Sequence, residues 1–171
     1  MNAPLPSTSS QATGRDAFDD ACFLIRLTRQ LCRHIVRVKD ATPVPSLLAD
    51  SLEVLQNQQE TLQAELEQLL RSATGSVGSA EEVLADPQLP LPRFPHGLGI
   101  MSLIAGHQRL LAAMDECLRT AYKPGLANFH LTLLGHRHVV CMAIAILAAH
   151  DAFRNFVPRD EEQAASMQHA A

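Results

Sequence analysis

Residues 46–71 read SLLADSLEVLQNQQETLQAELEQLLR. Within them Leu48, Leu52, Leu55, Gln59, Leu62, Leu66 and Leu69 step by four and three residues without a break. That spacing keeps one side of a helix turned toward other helices, because 3.5 residues per repeat nearly match a helical turn. The stretch predicts an α-helix whose apolar stripe belongs in a bundle. Gln59 is the one polar residue on the stripe. A lone polar side chain at such a position sets helix register at some cost in stability.

Proline and glycine divide the rest of the chain. Pro43 and Pro45 precede Ser46, a suitable helix cap. Upstream, Phe18, Cys22, Ile25, Thr28, Cys32 and Ile35 form the apolar face of a helix expected over 16–39. Asp16, Asp19 and Asp20 suit its start, and Arg37 and Lys39 its end. Downstream, 72–97 holds Gly75, Gly78, Pro87, Pro90, Pro92 and Pro95, with room for a short helix over 79–85. Two further helices are expected over 98–122 and 126–156, with Lys123-Pro124-Gly125 as a tight turn between them.

The expected fold is therefore all-α: an antiparallel four-helix bundle of two hairpins joined by a longer Pro/Gly-rich link. The bundle would occupy 15–157, between a disordered tail over 1–14 and a frayed tail over 158–171. The link is compatible with up-down-up-down topology or with the one-crossover arrangement of ferritin-like bundles.

Composition agrees with close-packed helices. Of 171 residues 47% are apolar, but only 4% are aromatic and none is Trp. The formal charge of -4 argues against a general nucleic-acid binder, whose affinity rests on basic charge. Met1–Gly14 has no apolar segment of signal-peptide type, so a cytoplasmic location is expected. In that compartment Cys22, Cys32, Cys117 and Cys141 would be free thiols.

Few residues suggest chemistry. A di-iron bundle needs inward Glu residues and a Glu-x-x-His step. Here Glu53 leads to Gln56, Glu60 to Gln63 and Glu116 to Arg119, and the inward position is Gln59. No Gly-x-Ser-x-Gly or phosphate-binding glycine loop is present, and a non-catalytic role is expected. His107 and His136 each fall on an apolar helix face, and Cys141 counts out to roughly the level of His107. These three residues are the candidate site of an alternative reading, a bundle holding a transition metal or haem. The leading reading has no cofactor.

Arg26, Arg29, Arg33 and Arg37 share a helix face by spacing. They suit ion pairing along a hairpin seam, with Arg33 opposite Glu53 and Arg26 opposite Glu60, or an acidic partner. The apolar run Val139–Ala149 is the remaining signal. A helix apolar all round must be covered all round. One bundle core covers Val140, Ala143, Ile144 and Leu147, but Met142, Ala145, Ile146 and Ala149 need separate cover. A protein partner is expected there, most simply a second copy meeting the first around Met142 and Ile146. The alternative cover is the Pro-rich link.

Overall fold

A computed structural model describes residues 9–41, 46–74, 97–120 and 127–156. It contains four helices: α1 (Ser9–Ala41), α2 (Ser46–Thr74), α3 (Ile100–Thr120) and α4 (Ala127–Phe156). No strand occurs among the described residues. Helix α1 begins seven residues before Asp16, so residues 9–14 extend it and the three aspartates lie inside it rather than in its first turn. The short helix expected over 79–85 lies outside the described residues.

Helix α2 forms where the stripe places it. Leu48, Leu52, Leu55, Leu62 and Leu66 are buried, and Gln59 is 1% exposed. The line ends on Leu70 rather than Leu69, which only packs against its edge. Helix α1 buries more than its predicted stripe. Leu24, Leu27 and Leu31 join Cys22, Ile25, Thr28 and Ile35 in the core. Helix α3 contributes Ile100, Leu103, Ile104, His107, Leu110, Met114 and Cys117. Helix α4 buries a narrow line, Phe129, Leu133, Val140, Ala143 and Leu147.

The packing order fixes the topology that the link left open. Helix α1 lies beside α2 and α3, and α4 lies beside α2 and α3. The pairs α1/α4 and α2/α3 are therefore the diagonals. Ser51 meets His150 and Glu65 meets His136, so α2 and α4 run in opposite directions. His34 meets Ser102, and Cys117 feels the charge of Asp20, so α1 and α3 also run oppositely. Arg29 meets Glu67 while Cys32 feels Glu60, so α1 and α2 run oppositely as well. Helices α2 and α3 then run the same way, and Thr74 and Gly97 stand at opposite ends of the bundle. This is the one-crossover arrangement.

The start of α3 is tied to α1 by one hydroxyl. Gly97 takes φ 124°, a backbone shape suited to glycine, just before the helix. Ser102 Oγ donates to Gly99 O at 2.7 Å and accepts from Gly99 N at 3.3 Å. Its proton is thus used, so the 2.7 Å contact with His34 has His34 Nε2–H as donor. Ser102→Ala would remove the cap and strand a buried N–H. The expected loss is about 1–3 kcal/mol, read from denaturant unfolding.

Candidate interaction surface

The core histidine lies in the middle of the bundle. His107 is fully buried, and its Nδ1–H donates to Leu103 O at 2.8 Å. That bond fixes the neutral tautomer and leaves Nε2 a buried lone pair without a hydrogen-bond partner. Burial holds its pKa below the usual histidine value, against an opposing contribution from the Leu103 carbonyl. Gln59 Oε1, on the diagonal helix, is likewise buried and unpaired. Thr28 of α1 is buried as well. Thr28 Oγ donates to Leu24 O at 2.8 Å.

His136, the second residue of the candidate metal site, has a partner on another helix. His136 Nε2 donates to Glu65 Oε2 of α2 at 3.1 Å, on the rim of the bundle. Its neighbour Arg137 holds Asp115 of α3 at 2.6 Å. His107 precedes Asp115 by eight residues on α3, about 12 Å along the axis. His136 is therefore two turns from the level of His107, not beside it. Cys141 is half-buried on α4. Among the described residues no three His, Cys, Asp or Glu side chains come together as a ligand set.

The thiols are poorly activated. Burial, then Asp19, pushes Cys22 up to about 11. Burial, then Glu60, does the same for Cys32, also to about 11. Burial, then Asp20, raises Cys117 to about 12. Reaction with a thiol reagent at neutral pH should therefore be slow at these three, because the thiolate is the nucleophile. Labelling kinetics on native protein check this, and fast modification of Cys22 or Cys117 would contradict it.

The four arginines do not form one exposed face. Arg26 turns inward and is 8% exposed, whereas Arg33 and Arg37 face solvent. Arg29 pairs with Glu67 at 2.8 Å, and Glu67 also takes Arg71 at 3.3 Å. Glu53 and Glu60, the expected partners of Arg33 and Arg26, are exposed, and Glu60 accepts from Gln56 at 2.9 Å. The hairpin seam is thus shifted from the register counted from Pro43.

The outer side of α4 is apolar and exposed. Ala127–Arg154 is long and apolar enough to cross a membrane; its most apolar 18-residue stretch has mean hydropathy 1.7, and only 22% of that stretch is buried. Leu131, Leu134, Met142 and Phe153 are 66%, 46%, 49% and 73% exposed. Ala145, Ala148, Ala149 and Ala152 are exposed as well, and Ile146 is half-buried. The charged residues between Ala127 and Phe153 are Arg137 and Asp151. Arg137 is committed to Asp115, and Asp151 is half-buried. Sequence reasoning found Met142, Ala145 and Ala149 on this face but missed Leu131, Leu134 and Phe153. They lie outside the apolar run, although their spacing continues it.

The chain matches no family model, no curated protein and no solved structure.

Proposed function

We propose that this chain is a non-catalytic association protein, and that the outer side of α4 is its docking surface. One observation carries the reading: a helix that spends a narrow line on its own core and presents a charge-free apolar side to solvent. Apolar patches of several hundred Å² are uncommon on monomers and mark interaction sites. Neighbouring surfaces are polar or already paired, as at Arg137–Asp115 and His136–Glu65. A second copy of the chain is the simplest partner, since a two-fold dimer uses one patch twice.

The test is light scattering on wild type and on Met142→Glu/Ile146→Glu. The expected result is a dimer at micromolar concentration for wild type and a helical monomer for the variant. A monomeric wild type would sink the reading. An unchanged dimer in the variant would move the interface off α4.

A further inference from the structure

We draw no further inference here: the strongest candidate, the exposed apolar surface patch on the outer side of α4, belongs to the site already described, and nothing in the structure shows what covers it.

Discussion

Acidification below about pH 6.5 should destabilise the bundle steeply, by up to about 1.4 kcal/mol per pH unit for His107 alone. His107 and His34 both have pKa values lowered in the folded chain, each first by burial. For His34 the nearby Arg37 adds to the effect. The sign follows from proton counting. Below the unfolded value the unfolded chain binds protons that the folded chain refuses. Stability is therefore complete above about pH 6.5 and falls as the pH drops toward the folded values.

His107 is fully buried, and its Nε2 has no hydrogen-bond partner. A charge there has no compensation, and unfolding relieves it. The measurement is chemical denaturation at a series of pH values for wild type and His107→Leu. The variant should show a shallower acid slope by close to one proton. It should be at least as stable at neutral pH, because the orphaned Nε2 leaves with the ring. Equal slopes for both proteins would show that His107 finds a partner for its proton.

The second large effect separates two neighbours on α2. Leu62 is 1% exposed and apolar; Gln59 is 1% exposed with an unpaired Oε1. Leu62→Ala should cost about 2–5 kcal/mol, from lost transfer energy and the cavity left behind. Against a typical total of about 5–15 kcal/mol this is a severe loss. Gln59→Leu should raise stability, because it replaces an unsatisfied buried oxygen by apolar atoms of similar size. Unfolding curves on the two variants check the pair. A large loss at Gln59→Leu would mean that its amide anchors a hydrogen-bond network in solution.

Much of the fold was legible because it depends on local signals. The leucine stripe, Ser46 after Pro43 and Pro45, and the break around Pro124 gave the helices. The arrangement was not legible, because it depends on which helices are neighbours. His136 pairs with Glu65 only because α4 lies beside α2, and nothing in either residue's surroundings in sequence indicates that. Counting from a turn also misplaced the seam between α1 and α2. Arg29 meets Glu67, whereas counting gave Arg33 to Glu53 and Arg26 to Glu60. The α4 surface was legible in part. An unbroken apolar run signals excess apolar area, but which residues stay outside depends on the width of the core line that α4 shares with α2 and α3.

The central claim is that the outer side of α4 is covered by a partner in solution, and the unfolding temperature measured across a range of protein concentrations tests it most directly. A dimer that unfolds to monomers gains stability by mass action. The unfolding temperature of wild type should rise with concentration, and that of Met142→Glu/Ile146→Glu should not. A wild-type unfolding temperature independent of concentration, with the mass of a monomer, would contradict the account.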